Sequence, residues 1–462
     1  MIIGGGPGGY EAALVAAQLD ADVTLVEADG AGGACVLSDC VPSKTFIASS
    51  EIVTGYRNNE SFGVRSPGLS GVEVDAVAVN DRVKKLALAQ SGDIQTKLIK
   101  AGVDVVHGRA RMGEDTLGHT HQVLITPHGE ATYAVDAATV LLATGATPRV
   151  LATAVPDGER ILDWRQVYDL TELPEHLIVI GSGVTGAEFA SAYLAMGVRV
   201  TLVSSRERVM PHEDADAAMA IERVFRDRGM TILNQSRAAS VENTGDGVRV
   251  MLSDGRTVDG SHALMAVGAV PNTADLGLRE YGVDVADGGY VTVDRVSRTN
   301  VPGIYAAGDC TGVLPLASVA AMQGRIAIWH AMGEAVAPLR LRTVSANVFT
   351  DPELATVGVS QNEMDAGKVP GRQVMLPLTG NARAKMAGLR DGVVKLFCRP
   401  APGQIIGGVV VAPKASELIL PITMAIENNL TVDQLAHTIT IYPSLSGSIA
   451  EAARQLMQHE LQ

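Results

Sequence analysis

The sequence predicts an α/β protein built from several domains, and three observations lead there. The pattern G-x-G-x-x-G occurs twice, at Gly4, Gly6 and Gly9 and again at Gly181, Gly183 and Gly186. Each copy lies between a short apolar strand and an Ala-rich helix. The chain has 462 residues, too many for one ordinary core, so two to four domains are expected. Its composition is 47% hydrophobic with 49 glycines but only 4% aromatic, which suits many tight strand-to-helix turns.

The first copy reads MIIGGGPGGYEAALVAAQ. Gly4 permits the tight turn, Gly6 lets a pyrophosphate approach the backbone, and Gly9 lets helix and strand pack closely. The helix N-terminus adds N–H donors and a positive dipole for phosphate. The next strand, ADVTLVEA, ends in Glu27, 21 residues after Gly6, the place for a carboxylate that binds an adenosine ribose. The second copy is LIVIGSGVTGAEFASAYLAMGVRVTLVSS, where the position 21 residues after Gly183 is Ser204, followed by Arg206 and Arg208. A ribose 2′-hydroxyl wants a carboxylate, whereas a 2′-phosphate repels one and wants Arg. The first unit therefore suits an unphosphorylated adenosine, and the second tolerates NADPH as well as NADH. The alternative for the two arginines is plain solvation. Two such units imply two dinucleotides, most simply a flavin and a nicotinamide.

Further stretches fit that scheme. LLATGATPRV (141–150), with Thr144 and Gly145, and LMAVGAVPN (264–272), with Gly268, are apolar strands ending in small-residue turns at the two ends of the second unit. GIYAAGDC (303–310) is a strand ending in Gly308 and Asp309. A net charge of −14 argues against a nucleic-acid groove. No uncharged apolar run reaches the roughly 18 residues of a membrane span, and the N-terminus lacks the basic segment of a secretory signal. Four cysteines are too few for a disulfide scaffold, so a cytoplasmic protein is expected, and no metal is called for. Cys35 and Cys40 lie five residues apart in GGACVLSDCVPSK. On a regular helix they would point about 140° apart, so bridging them requires an irregular turn. Cys310 and Cys398 sit in apolar stretches read as strands, where core packing is expected.

Together the two glycine motifs, ATGATP (143–148), GIYAAGDC and C-x4-C-x-P-S-K (35–44) resemble the flavoprotein disulfide reductases, the family of dihydrolipoamide dehydrogenase and glutathione reductase, over nearly the full length. The resemblance implies two Rossmann-like dinucleotide-binding domains and an α+β C-terminal dimerisation domain. The FAD domain would span 1–150, completed by 265–340, the NAD(P) domain 151–264, and the dimerisation domain 341–462. Asp309 would hold the FAD ribityl chain, Lys44 would lie near the flavin N5, and Glu188 would pair with Lys44. Cys40 would face the flavin and Cys35 would attack a substrate disulfide. Family members have a longer first strand than MII, which leads to the expectation that residues precede Met1.

One departure bears on function. The family carries H-x-H-P-T-x-x-E near its C-terminus, reaching across the dimer to supply the base for thiol chemistry. Here that pattern falls on Thr440 to Gly447, with Tyr442 in place of the His and Gly447 in place of its Glu. His437, five residues earlier, is expected to be an ordinary surface or interface His. Tyrosine, with a pKa near 10, is a poor base at neutral pH. Loss of the base is expected to cost proton transfer on the order of 10²–10⁴ in rate. The chain is therefore read as a homodimeric FAD enzyme in which NADPH or NADH reduces FAD, which then reduces a quinone or similar acceptor in a ping-pong cycle. Lys44 and Glu188 would tune the flavin, and Tyr442 would line the acceptor pocket. In this it resembles the actinobacterial NAD(P)H:quinone reductases of the same family. The alternatives are a disulfide reductase using Cys35–Cys40, a transhydrogenase, and a non-catalytic redox-sensing flavoprotein.

Overall fold

The chain begins with a strand of two residues, β1 (Ile2–Ile3), followed by helix α1 (Pro7–Gln18) and β2 (Thr24–Glu27). Short helix α2 (Gly33–Leu37) and helix α3 (Cys40–Asn58) come next, then long helix α4 (Ala76–Lys100). Strands β3 (Asp104–Met112), β4 (His121–Pro127), β5 (Tyr133–Ala137) and β6 (Val140–Leu142) complete the first run. This computed structural model describes residues 1–58, 62–64, 73–114 and 120–458. Brief as it is, β1 is central: it pairs in parallel with β2 on one side and β6 on the other, so both its edges are satisfied.

The second glycine unit follows a short ribbon strand, β7 (Ala146–Pro148). Its sheet is built from β8 (Ile161–Asp163), β9 (His176–Ile180) and, after helix α5 (Val184–Met196), β10 (Arg199–Val203). Helix α6 (Ala215–Asp227) leads to β11 (Thr231–Leu233). An antiparallel set, β12 (Ala238–Asn243), β13 (Val248–Leu252) and β14 (Thr257–Gly260), precedes β15 (His262–Met265) and β16 (Ala269–Pro271). The parallel order is β11-β10-β9-β15-β8, and β16 pairs antiparallel with β7 to make the ribbon between the two units.

The chain then returns to the first sheet. Strand β17 (Ile304–Ala306) adds beside β6, giving the order β17-β6-β1-β2-β3-β4-β5, and helix α7 (Ala317–Ala331) packs against α1. Small residues make that packing possible. A Cβ on Gly324 would overlap the carbonyl oxygen of Gly8, so the two helices meet backbone to backbone. This explains why so Ala- and Gly-rich a chain needs few aromatics. Cys310, read from the sequence as a strand residue, lies instead in a 3-10 turn, Asp309–Thr311, just after β17. Gly308 takes φ +81° and ends the strand before that residue. Cys310 is fully buried and its thiol donates to the carbonyls of Ala307 and Leu142, so it is a core residue as expected.

The C-terminal part is an antiparallel sheet, β18 (Ser345–Val348), β19 (Glu353–Gly358), β20 (Arg372–Pro377), β21 (Val393–Cys398) and β22 (Ile405–Ala412), in the order β18-β19-β22-β21-β20. Helices from Ala415 to Gln458 cover one face. Cys398 is buried on β21. Among the described residues no helix is long and apolar enough to cross a membrane.

One hydrophobic cluster joins all three parts. It runs from Phe46 on α3, through Phe189 and Tyr193 on α5, to Val348, Phe397 and Val409 of the last sheet. Beside it lies a buried charge group. Lys395 on β21 is 1% exposed, and its Nζ bonds both carboxylate oxygens of Asp214, at 2.8 and 3.1 Å, and Asp216 at 2.7 Å. Asp214 also caps α6 by accepting the N–H groups of Asp216 and Ala217. Removing one member of such a buried pair strands the other. Lys395→Ala is therefore expected to cost about 3–5 kcal/mol, read as a lower urea midpoint. Asp216→Asn, at a carboxylate that is 45% exposed, is expected to cost about 1 kcal/mol or less.

Candidate functional site

The two glycine turns share one geometry. Gly4 (φ +102°) and Gly181 (φ +109°) are left-handed, and a Cβ on either would strike the backbone carbonyl of Ala143 or Ala266. A Cβ on Gly9 would overlap the carbonyl oxygen of Gly4, and one on Gly186 that of Gly181. Gly6 and Gly183 differ: a Cβ there would meet nothing within 4 Å. They are the N-caps of α1 and α5, and neither helix end has a side-chain cap. Two open backbone ledges at two uncapped helix N-termini fit the diphosphates of two dinucleotides.

The residues beyond the turns differ between the units. Glu27, buried at the end of β2, accepts the backbone N–H groups of Gly5 (2.5 Å) and Asp29 (2.8 Å). In the second unit the same place holds Ser204, also buried. Its hydroxyl lies 2.7 Å from that of Ser182 and accepts the N–H of Arg206. Ser204 thus shapes the loop from beneath. Arg206 is exposed and, among the described residues, its guanidinium makes no hydrogen bond or ion pair. Arg208 is half-buried, and its guanidinium donates to the carbonyl of Pro211. Of the two arginines, Arg206 is the one free to meet a 2′-phosphate.

Thr144 and Gly145 form the turn between β6 and β7, tied to the ribbon by Asn272. The Asn272 side chain donates to the Thr144 carbonyl (2.9 Å), and its N–H donates to that of Gly145 (3.0 Å). Gly268 (φ +93°) makes the matching turn before β16 and accepts the N–H of Arg149. Asp309 follows the left-handed Gly308. Burial, then the nearby Asp39, holds its carboxyl above the usual range.

The cysteines, Lys44 and Glu188 come together where the three parts meet. Ser38 breaks the backbone between α2, which carries Cys35, and α3, which begins at Cys40; this is the irregular turn the spacing required. Both are free thiols, near enough for each to perturb the other. Cys40 draws the Cys35 thiol below its ordinary pKa against the opposing effect of burial, while Cys35 and burial push Cys40 well up. Lys44 Nζ lies 2.9 Å from Glu188 Oε2, and Glu188 Oε1 accepts the backbone N–H of Phe349 at 2.9 Å. Burial works to discharge Lys44, but the negative groups around it, Glu188 foremost, leave its pKa raised. The Phe349 ring lies 4.9 Å from the same ammonium. Phe46, Tyr168, Phe189 and Tyr193 pack below, with the Phe46 and Tyr193 centroids 5.0 Å apart.

Sequence reasoning did not find Phe349, which lies 161 residues from Glu188 and contributes a backbone group that no motif could reveal. It also passed over Asp39, although its place beside Cys40 was visible. Tyr442 lies apart from the cysteines in this single chain. It is 85% exposed, beside Ile441 and Ile439 at 81% and 98%, in a cleft lined by Leu376, Asn381, Ser444 and Glu451. His437 is exposed and bonds the carbonyl of Asp433, four residues back.

Residues 1–324 match the pyridine nucleotide-disulphide oxidoreductase family, and residues 344–453 match its dimerisation domain. A Mycobacterium tuberculosis protein named NAD(P)H dehydrogenase (quinone) is 57% identical, covering 100% of this chain and 94% of that protein. Dihydrolipoyl dehydrogenase of Chlamydia pneumoniae is 32% identical, covering 100% and 97%. The crystal structure of Mycobacterium tuberculosis LpdA superposes with a TM-score of 0.93 at 58% identity, covering 99% of each chain.

The open ledges allow the turns to be tested separately from the fold. Gly6→Val and Gly183→Val are expected to give folded protein with, respectively, flavin retention and NADPH affinity lowered at least about tenfold, read by flavin absorbance and by NADPH titration. Gly9→Ala and Gly186→Ala, which place a Cβ inside a backbone carbonyl, are expected to lower the yield of folded protein itself.

Proposed function

Because the chain belongs to the pyridine nucleotide-disulphide oxidoreductase family, we propose that it is an NAD(P)H:quinone oxidoreductase working through bound FAD. Its class, a flavoprotein that uses FAD and NAD(P)H, follows from the family and from relatives matched over the whole chain. The quinone is the proposed part. It rests on the printed name of the 57% identical mycobacterial relative and on one observation in this chain. Both dinucleotide ledges are intact, while Tyr442 and Gly447 stand where thiol chemistry would need a His and a Glu.

FAD supplies two-electron exchange, first with the nicotinamide and then with the acceptor. The protein's part is to bind, orient and tune. Gly4, Gly6 and Gly9 with Glu27, Thr144, Gly145 and Asp309 form the FAD cradle in this reading. Gly181, Gly183, Gly186, Ser204 and Gly268 form the NAD(P) cradle, and Arg206 supplies charge for a 2′-phosphate. Lys44, held by Glu188, puts a fixed positive charge beside the site, which eases the gain of negative charge there. Tyr442 lines the acceptor pocket of an assembled homodimer. The proposal keeps the division 1–150 with 265–340 for FAD, 151–264 for NAD(P) and 341–462 for dimerisation. The return of β17 to the first sheet supports it. A cytoplasmic location, suggested by the sparse cysteines, belongs to the same proposal.

A second reading, a disulfide reductase using Cys35 and Cys40, is favoured by the two free thiols lying near enough to perturb each other. The two part on one substitution. Cys40→Ser is expected to keep menadione reduction by NADPH within about threefold of the unsubstituted enzyme; loss of turnover would favour the disulfide route. Steady NADPH oxidation with menadione also excludes a purely sensing flavoprotein. Arg206→Glu is expected to raise the KM for NADPH about tenfold or more and to leave that for NADH nearly unchanged, measured by initial rates.

A further inference from the structure

Asp39 stands immediately before Cys40, the first residue of α3, and its carbonyl accepts the Ser43 N–H, which makes it the N-cap of that helix. An N-cap Asp ordinarily spends its carboxylate on the N–H of the second or third helical residue. Here the third is Pro42, which has no N–H. Among the described residues the Asp39 carboxylate accepts no hydrogen bond. Its charge is therefore left at the positive end of α3, where the helix dipole would otherwise favour a thiolate at Cys40.

Lys44 is the one cation that acts on it among the described residues, and it only partly offsets that charge. Lys44, on the same helix, is engaged by Glu188 at 2.9 Å. The other titratable groups around the thiol pair are Asp309, the phenols of Tyr168 and Tyr10, and Glu188 of α5. These are neutral or negative at neutral pH.

We propose that Asp39 is a positioning residue that restrains thiolate formation at the Cys35–Cys40 pair. The dithiol then exchanges with outside disulfides more slowly than it would without that charge, which leaves more electrons for an acceptor that needs no thiol. The carboxylate acts through space. It is not hydrogen-bonded to either sulfur, so it is placed to repel a thiolate and not to carry its proton. Burial raises the pKa of Asp39 and Lys44 opposes that, while Asp39 in turn raises both thiols. The inference concerns the thiols alone and does not depend on which acceptor is used.

Holoenzyme reduced with a phosphine, then freed of it, would be alkylated with iodoacetamide from about pH 5 to about pH 10, and the rate at each cysteine followed by mass spectrometry. In Asp39→Asn, which keeps the capping geometry and loses the charge, the alkylation midpoint of Cys35 is expected to fall by about one pH unit. That is roughly tenfold faster alkylation below the midpoint. Asp39→Glu is expected to stay near the unsubstituted protein. An unchanged midpoint in Asp39→Asn would reduce Asp39 to a helix cap, and a raised midpoint would make it a proton acceptor; either result overturns the proposal. Asp39→Ser, a neutral cap of another shape, gives the same reading should Asn disturb the fold. No quinone enters the measurement, so its failure is separable from failure of the menadione test.

Discussion

The ion pair between Lys44 and Glu188 is the constraint on which the site depends. Lys44 rides on α3, and Glu188 on α5, the helix that starts at the second glycine turn. The second carboxylate oxygen of Glu188 is taken by the Phe349 N–H at the start of the last sheet. Three parts of the chain are thus fixed through one buried carboxylate. Such a pair is costly to desolvate, and it is tolerated here because both oxygens have a partner and the ammonium also faces an aromatic ring. The aromatics beneath it make the junction rigid. Each buried ring of this size adds about 1.5–3 kcal/mol of apolar burial.

Around that junction the molecule relies on close backbone approach more than on large side chains. Gly9 against Gly4, Gly186 against Gly181 and Gly324 against Gly8 are contacts where any Cβ would overlap a carbonyl. They bring α1 and α5 hard against their strands, which aims the uncapped helix ends at the two open ledges over Gly6 and Gly183. The same economy that makes the chain poor in aromatics makes those ledges accessible to phosphate.

The cysteines sit within this frame under opposing influences. Cys40 favours a thiolate at Cys35 and Lys44 favours one at either sulfur, while burial and Asp39 oppose both. The C-terminal segment carries Tyr442 and Gly447 where the family pattern has a His and a Glu. In the proposed function hydride exchange would need none of this, only dinucleotides held over the two ledges beside the Lys44–Glu188 pair. A chain can therefore keep the sulfur pair while its chemistry rests on the flavin.

Much of this was legible in the residues. Local spacing determined the two strand–turn–helix units, because each glycine answers a steric demand within a few residues of itself. The same locality made Glu27 and Ser204 readable as equivalent positions, and Cys35 and Cys40 readable as needing a broken helix. Family resemblance added the pairing of Lys44 with Glu188, which spacing alone could not give across 144 residues. Only the tertiary structure decided that Phe349 completes that pair, that Ser204 lies under its loop while Arg206 stays free, and that Cys310 falls in a turn past its strand. It also set Asp39, whose carboxylate accepts no hydrogen bond among the described residues, near the thiols. These outcomes depend on backbone groups and on charges brought together from distant segments. A sequence specifies its turns locally, but the surroundings of a buried charge are set only once the domains have packed.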